Sequence, residues 1–406
     1  MKTITIIGIN FYPEDTSTGL YTTQMAEYLS KFYNVNVITG FPYYPQWEIK
    51  QEYKDLPKYY FEEIKGIKIY RYKQYVPKDP SFKKRILHMI DFTIGSIKNS
   101  FKIQKSDLTI CIVPFTSSII LGLLVKKFKG GKLWIHIQDF EFDAAIESGL
   151  LNKDNKFKKV FANFLFYIET KLFNKADIVS TISYKMIEKL NKKTSSETFL
   201  LPNWVDGNFI NPETFRKHRY LNSNKFKILY SGNIGAKQDW EFFKKFAVFL
   251  ENDVSIEIVV VGDGALKERL IKETANLKNL RIYDPVPLQE LSDLLCSADL
   301  HILFQKSNVI DSVMPSKILG MMASGKPSLV TGNINSELNE VFKKSQGEGY
   351  FEPSQLQECI NFVYKLKENP SYAKEIGFKA REFILENYSY EKVLERFRSK
   401  IEELLK

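Results

Sequence analysis

Lys227-Ile228-Leu229-Tyr230-Ser231-Gly232-Asn233-Ile234-Gly235 is a short apolar run that breaks into a turn holding two glycines, and a helical pattern follows it. That order is the opening of a strand–turn–helix unit. Its position matters as much as its pattern. A complete series of such units already precedes it, so the chain starts a second sheet here. Working back from this point, residues 3–9 form a near-continuous apolar run, as a strand covered on both faces requires. Residues 19–32 follow as a helix, with Leu20, Met25, Tyr28, Leu29 and Phe32 mostly on one side. Strands are then predicted at 35–39, 68–72, 108–113, 133–137 and 178–181. Working forward, strand 255–261 leads into Gly262-Asp263-Gly264 and a helix from Ala265. Strand 300–304, helix 315–323 with its stop at Ser324-Gly325-Lys326-Pro327, and strand 328–331 complete the second series.

Alternating strands and helices imply mainly parallel sheets. The expectation is an α/β protein of two Rossmann-like, doubly wound domains that face a central cleft. The first domain covers 1–200, a linker 201–206 (Leu201-Pro202-Asn203-Trp204-Val205-Asp206), and the second 207–385. A charged helix at 386–406 is expected to pack back toward the first domain. Ligands of such domains bind beyond the carboxyl ends of the strands.

At 406 residues the chain exceeds one ordinary core. Three dispersed cysteines, Cys111, Cys296 and Cys359, offer neither a disulfide framework nor a zinc motif, and they suit a reducing cytosol. The start of the chain runs straight into a strand pattern without the features of a signal peptide. The longest apolar stretch, 108–125, is interrupted by Pro114 and Thr116-Ser117-Ser118, so it reads as strand, turn and helix and not as a membrane span. The net charge of +10 is unevenly placed: residues 1–200 hold 30 Lys/Arg against 20 Asp/Glu, and the remainder holds 28 of each. A basic first half suits phosphates or an anionic membrane face, and a solvated surface has the same composition. Residues 65–85 and 157–173, both basic and aromatic, are the stretches that could lie on lipid. No nucleic-acid-binding motif accompanies the charge, so nucleic acid is not expected as a partner.

Candidate site residues cluster at the predicted strand ends. Gly232, Asn233 and Gly235 let backbone approach a ligand, the helix behind them offers free N–H groups, and Lys237 adds charge; a diphosphate fits. An ordinary strand-to-helix turn would carry the same glycines. Pro315 and Ser316 open a helix whose second residue, Lys317, supplies another cation if it faces the cleft. Gly262 and Gly264 form a second tight turn suited to close packing or to approach by a nucleotide. In the first domain, His136 and Asp139 end a strand and three acids follow within seven residues of the histidine, the pattern of a ligand contact; a structural histidine is the alternative. Thr18 and Gly19, in the loop that opens the first helix, are candidates for the acceptor side.

Taken together, Pro42-Tyr43-Tyr44-Pro45-Gln46-Trp47, Tyr75-Val76-Pro77-Lys78, His136-Ile137-Gln138-Asp139, Leu201-Pro202-Asn203-Trp204, the Tyr230–Gly235 turn, Leu303-Phe304-Gln305-Lys306 and Pro315-Ser316-Lys317 resemble the family-4 retaining glycosyltransferases. The likeness spans nearly the full length and is greatest to the WcaI-like branch of surface-polysaccharide enzymes, which includes colanic acid fucosyltransferases. The resemblance implies a GT-B fold, a nucleoside-diphosphate sugar as donor (GDP-fucose or a UDP-sugar), transfer with retention, and no obligatory metal or cofactor. It implies an undecaprenyl-diphosphate-linked saccharide as acceptor and a peripheral position on the inner face of the cell membrane. By position, the Gly232–Gly235 loop, Lys237 and Lys317 would meet the diphosphate, and His136 and Asp139 the transferred sugar. Two departures stand out. The pair of glutamates eight residues apart in the wider family falls on Ser312 and Gly320, with Asp311 the nearest acid, and Asn233 replaces the arginine of the phosphate loop.

Two lysines and a helix N-terminus would stabilise the charge that develops on a departing nucleoside diphosphate. No pair of carboxylates suited to glycoside hydrolysis is evident. A sugar-nucleotide epimerase of the same layout, or a non-catalytic carbohydrate- or lipid-binding relative, remain the alternatives.

Overall fold

Ile4, Ile6 and Ile7 of β1 (Thr3–Ile7) and Val37 and Ile38 of β2 (Asn34–Gly40) are wholly buried, because helices cover parallel strands on both faces. They belong to a computed structural model that describes residues 1–15, 17–79, 81–143, 156–307 and 316–406. The chain divides into two compact units, one of Met1–Pro202 with Leu394–Lys406, the other of Asn203–Val393.

The first unit is built on an eight-stranded sheet in the order β3-β4-β2-β1-β5-β6-β7-β8. Its further strands are β3 (Tyr59–Ile64), β4 (Ile67–Tyr72), β5 (Leu108–Val113), β6 (Lys132–Ile137), β7 (Ile178–Thr181) and β8 (Glu197–Leu200). Every pairing is parallel except β3 with β4. The described helices are α1 (Ser17–Ser30), α2 (Phe82–Lys102), α3 (Ser118–Lys129), α4 (Lys156–Phe173) and α5 (Tyr184–Leu190). The apolar stretch 108–125 is indeed a strand, a turn and a helix. No helix among the described residues is long and apolar enough to cross a membrane.

The second unit carries a wholly parallel six-stranded sheet in the order β11-β10-β9-β12-β13-β14. Its strands are β9 (Phe226–Ser231), β10 (Ile256–Val261), β11 (Leu280–Tyr283), β12 (Leu300–Phe304), β13 (Ser328–Thr331) and β14 (Tyr350–Phe351). Its helices are α6 (Trp240–Phe249), α7 (Lys267–Glu273), α8 (Leu291–Cys296), α9 (Ser316–Ala323), α10 (Glu337–Ser345), α11 (Leu356–Glu368) and α12 (Pro370–Tyr388). The sheet's order reverses between β9 and β12. Those two strands pair only at Ile228–Leu300 and Leu229–His301, whereas β9 and β10 pair along six residues. The strands therefore part toward their carboxyl ends, where doubly wound sheets take their ligands. In α9, Gly325 at φ +69° ends the helix, and Arg381 donates to the carbonyls of Ile210 at 2.7 Å and Gly207 at 3.0 Å, and also to that of Ala323.

The last helix, α13 (Tyr390–Leu404), begins in the second unit and ends in the first. In the first unit Phe397 packs edge-on against buried Trp134, with centroids 4.9 Å apart, and Lys400 pairs with Glu197 at 2.6 Å. The three cysteines are free and buried.

The basic, aromatic segment 65–85 is not one surface. Arg71 is fully buried and donates to the Gly40 carbonyl at 3.0 Å, the Tyr12 carbonyl at 2.5 Å and the Glu62 carboxylate. Tyr72 lies against Gly95, where an added Cβ would meet its ring at 2.0 Å. Arg71 and Tyr72 are therefore internal, whereas Lys83, Lys84 and Arg85 at the end of the segment are exposed.

Candidate functional site

Pro315 and Ser312 lie outside the described residues, so the loop before α9 enters the site only from Ser316 onward. Ser316, exposed, and Lys317 form the first turn of α9, which contains no acid. The Lys317 ammonium reaches back to the end of β9. It donates to the Tyr230 hydroxyl at 3.0 Å and sits 4.6 Å from the centre of that ring. A Cβ added at Gly232 would come within 2.9 Å of Lys317 Nζ. Among the described residues no carboxylate pairs with this lysine, and burial pushes its pKa down to about 8. A half-buried cation with no carboxylate partner among the described residues thus stands at the point where the sheet order reverses.

The glycines make this approach geometrically feasible. Gly232 has φ +138°, and its N–H donates to the Val261 carbonyl at 2.9 Å. Gly262 lies so close beneath it that an added Cβ would sit 2.0 Å from the Gly232 carbonyl oxygen. Gly264, at φ +151°, leaves room for Asn233 and Ile234, whose oxygens an added Cβ would meet at 2.5 and 2.6 Å, and the Ile234 N–H donates to the Asp263 carbonyl at 2.8 Å. The two turns expected from sequence are thus one interlocked loop pair, and the Gly262–Gly264 turn serves close packing of the first. Tyr230 adds a tie from within: its hydroxyl donates to the Asn233 carbonyl at 2.5 Å while it accepts from Lys317. Trp240 Nε1 donates to the Gly235 carbonyl at 2.9 Å, and the Gly235 N–H donates to Gln238 Oε1 at 3.2 Å.

The helix expected directly behind the glycine loop starts later than the sequence pattern implies. Residues 236–239 intervene, and α6 begins at Trp240 with Asp239 as its N-cap, whose carboxylate accepts from the Phe242 N–H at 3.0 Å. Glu241 follows in the first turn. The Asp239 cap already satisfies one of the free N–H groups of that N-terminus and offsets part of its partial positive charge. The first described turn of α9, by contrast, holds no acid. Lys237 is exposed in the intervening turn, so it is not among the groups gathered at Lys317.

Gly320, where the wider family carries its second glutamate, faces the apolar side chains of Leu295 and Ile210, at 3.2 and 3.5 Å from an added Cβ. A carboxylate introduced there would start against two hydrocarbon groups.

In the first unit the sequence candidates separate. His136, on β6, is 1% exposed. Its Nδ1 lies 2.9 Å from Ser180 Oγ, and its Nε2 accepts from the Gln138 amide at 2.9 Å. Burial pushes its pKa down to about 3, so the ring is neutral at physiological pH. Both ring nitrogens are engaged within the sheet. Asp139 is half-buried just beyond the strand, and near it burial raises the pKa of Glu141, whose carboxylate accepts from the Thr116 N–H at 2.8 Å. Gly19 lies in the first turns of α1, where an added Cβ would meet Glu14 Cβ at 2.8 Å; the Thr18 carbonyl accepts from Thr22 Oγ1 at 2.7 Å.

Glu14 itself is the residue that sequence reasoning passed over. Its buried carboxylate accepts from Asn10 Nδ2 at 2.8 Å and from the N–H groups of Tyr43 at 2.8 Å and Tyr44 at 2.9 Å. It ties the loop after β1 to the loop after β2. Burial raises its pKa and those three donors oppose the rise. Only its place in an otherwise polar loop was visible in the sequence. Tyr230 was visible as part of a motif, but its bond to Lys317 spans 87 residues. Among the described residues no group of three or more His, Cys, Asp or Glu is placed to hold a metal ion.

Comparison with known proteins identifies the family. The chain is 32% identical over 408 residues to an Escherichia coli K12 protein named as a colanic acid biosynthesis glycosyl transferase, WcaI, with 97% of this chain and 98% of the relative covered. The family model of glycosyl transferases group 1 matches residues 211–383. The chain belongs to the group 1 glycosyltransferases. Solved structures that match its whole length share the GT-B fold. Sucrose-phosphate synthase from Thermosynechococcus elongatus matches with a TM-score of 0.73 at 12% identity, covering 100% of this chain and 99% of that one. Anabaena HepE, solved with UDP and glucose, matches with a TM-score of 0.69 at 11% identity, covering 99% and 100%. In this glycosyltransferase the group 1 match contains the Gly232 loop, Tyr230 and Lys317.

Proposed function

We propose that this glycosyltransferase moves a sugar, with retention, from a nucleoside-diphosphate sugar to a lipid-linked saccharide in bacterial surface-polysaccharide synthesis. The observation that carries the donor half of the reading is the half-buried Lys317 ammonium, without a carboxylate partner among the described residues, held against Gly232 where β9 and β12 part. A diphosphate there would supply the missing counter-charge. As the bond from sugar to phosphate breaks, negative charge grows on the leaving oxygen, and a fixed cation stabilises that growth more than it stabilises the ground state. The α9 N-terminus adds to it, and Gly232, Asn233 and Gly235 let the loop backbone come close. Lys237 and Ser316, both exposed, are assigned to the outer phosphate oxygens.

On the first unit, Asp139 is assigned to the transferred sugar. His136 is assigned as a positioning residue, because its neutral ring holds the Gln138 amide through Nε2. Thr18 and Gly19 are assigned to the acceptor side. No metal is required in this scheme, since Lys317 supplies the charge. The motif resemblance puts GDP-fucose first among donors, and the WcaI likeness supports colanic-acid-type polysaccharide as the product class; HepE, solved with UDP-glucose, supports the UDP-sugars. The same reading puts the enzyme at the inner face of the cell membrane, where an undecaprenyl-diphosphate-linked acceptor would present its sugar.

A screen of GDP- and UDP-sugars against a lipid-linked acceptor, with the anomeric configuration of the product read by NMR, tests the reading. Retained configuration with one donor class is the expected result. Conversion of the donor without any acceptor would replace transfer by epimerisation. Failure to bind any nucleoside diphosphate would remove the donor site altogether.

A further inference from the structure

Helix α2 is turned inside out relative to an ordinary helix of a water-soluble protein. Leu87, Ile90, Ile94, Ile97 and Phe101 recur at intervals of three and four residues and so form one stripe along the helix. Four of these five are between 47% and 63% exposed. The buried face of the same helix holds polar groups: His88, Ser96, Asn99 and Ser100, beside Phe92. A helix selected only for solubility would reverse this distribution, since each exposed apolar side chain forgoes its burial free energy. The stripe continues onto α3. Phe101 and Phe128 are in ring contact with centroids 5.4 Å apart, and Phe128 and Ile120 are 54% and 45% exposed. The result is a contiguous apolar surface of the kind that marks a contact with something other than water.

Its border is cationic. Helices α2 and α3 together carry eight Lys/Arg and one acid, Asp91. The Asp91 carboxylate is already engaged by the Tyr72 hydroxyl at 3.1 Å and the Tyr75 N–H at 2.7 Å. Lys126 is also committed, to Asp177 at 2.7 Å. Lys83, Lys84, Arg85, Lys98, Lys102 and Lys127 remain exposed at the rim. Beyond Phe101, a polar cavity of about 280 Å³ is lined by Lys68, Lys102 and Lys105 with Asn34 and Asn36.

We infer that the α2–α3 face is a lipid-docking surface that inserts its apolar stripe among the acyl chains of an anionic bilayer while its lysines and Arg85 meet the headgroup phosphates. An apolar band edged by cations, whose one acid within the two helices is already engaged, matches an anionic membrane interface and not a second copy of this equally cationic face. The stripe lies wholly within the first unit. The inference therefore stands whether or not the donor assignment at Lys317 does.

The test is flotation of the full chain with vesicles of phosphatidylcholine alone or with phosphatidylglycerol added, at low and high salt. Binding is expected only with the anionic lipid and is expected to weaken as salt rises. The double variant Ile90→Gln/Ile94→Gln, both sites exposed, should lower the partition coefficient by at least about tenfold. Lys83→Glu/Lys84→Glu should lower it by a similar factor, from about fivefold per lysine removed. Unchanged thermal unfolding and unchanged nucleotide binding would show that neither variant damages the fold or the donor site. Equal binding to neutral vesicles, no binding at all, or binding that survives the α2 changes and falls with Phe164→Gln on α4 would each overturn the proposal. So would a lipid-independent dimer that the α2 variant dissolves, because a second copy would then be the occupant.

Discussion

Lys317 Nζ donates to the Tyr230 hydroxyl at 3.0 Å, and this single bond joins the start of α9 to the end of β9. It holds a cation over the loop whose Gly232 leaves room for nothing larger. Because Tyr230 also donates to the Asn233 carbonyl, the phenol sets the loop and the lysine in one register.

Removing the cation should show in turnover. Lys317→Ala is expected to cut kcat by about a hundredfold, the usual cost of one charge contact made in the transition state. Tyr230→Phe keeps the cation but frees it from the loop, and a loss of about tenfold is expected from one buried hydrogen bond. Steady-state transfer assays on both variants decide it, and near-wild-type kcat in Lys317→Ala would discard the donor site.

The loop pair makes a prediction that separates affinity from stability. Gly232→Ala would crowd Lys317 Nζ and strain a backbone at φ +138°, so nucleoside-diphosphate affinity should fall at least about tenfold. Gly262→Ala would press on the Gly232 carbonyl, and there the loss should appear as about 3 kcal/mol of folding stability. Isothermal titration and chemical denaturation of the two variants distinguish them.

Burial sets the sign of the pH dependence at Lys317. Its folded pKa, about 8, lies below the value of 10.5 for an unburied lysine. A diphosphate would raise it again, so binding near pH 8 should take up a proton, and affinity should fall as pH rises past 8 by at most about tenfold per unit. Titrations in buffers of different ionisation enthalpy measure the uptake, which Lys317→Met should abolish. For folding the sign is reversed: the unfolded chain holds this proton more tightly, so stability increases as pH rises from 8 to 10.5. Lys317→Met should therefore be more stable than wild type at pH 7, by up to about 3 kcal/mol, and lose that advantage near pH 10. An unchanged Tm at pH 7 would show that the ammonium is not desolvated.

His136 predicts behaviour at the acid end. With its folded pKa depressed to about 3 from 6.5, the unfolded chain binds the proton first as pH falls. Stability should therefore decline between pH 6.5 and 3, by up to about 1.4 kcal/mol per unit from this residue. His136→Asn should flatten that slope in urea titrations. Transfer should show no ionisation near pH 6.5 attributable to His136. An activity limb at that pH that disappears in His136→Asn would contradict the neutral ring.

The sequence by itself determined the two sheets, because an apolar run covered on both faces and a glycine turn are local patterns. Strands 35–39, 108–113 and 300–304, the helix stop at Gly325 and the breakdown of 108–125 into strand and helix all follow from periods of two and 3.6 and from backbone sterics. It also selected Gly232, Gly262 and Lys317 as residues worth watching, through spacing and resemblance. What it could not determine was which of them meet. The Lys317–Tyr230 bond spans 87 residues, the Gly262–Gly232 contact 30, and burial of Arg71 and Glu14 arises from loops of different strands. The acid-capped start of α6 and the acid-free first turn of α9 are visible only in the structure, and the basic, aromatic segment at 65–85 divides into buried Arg71 and Tyr72 and exposed Lys83, Lys84 and Arg85. Exposure is likewise a tertiary quantity: a three-and-four spacing of isoleucines in α2 marks one face of a helix, and only the packing of His88, Asn99 and Ser100 on the opposite face decided that the apolar side points outward.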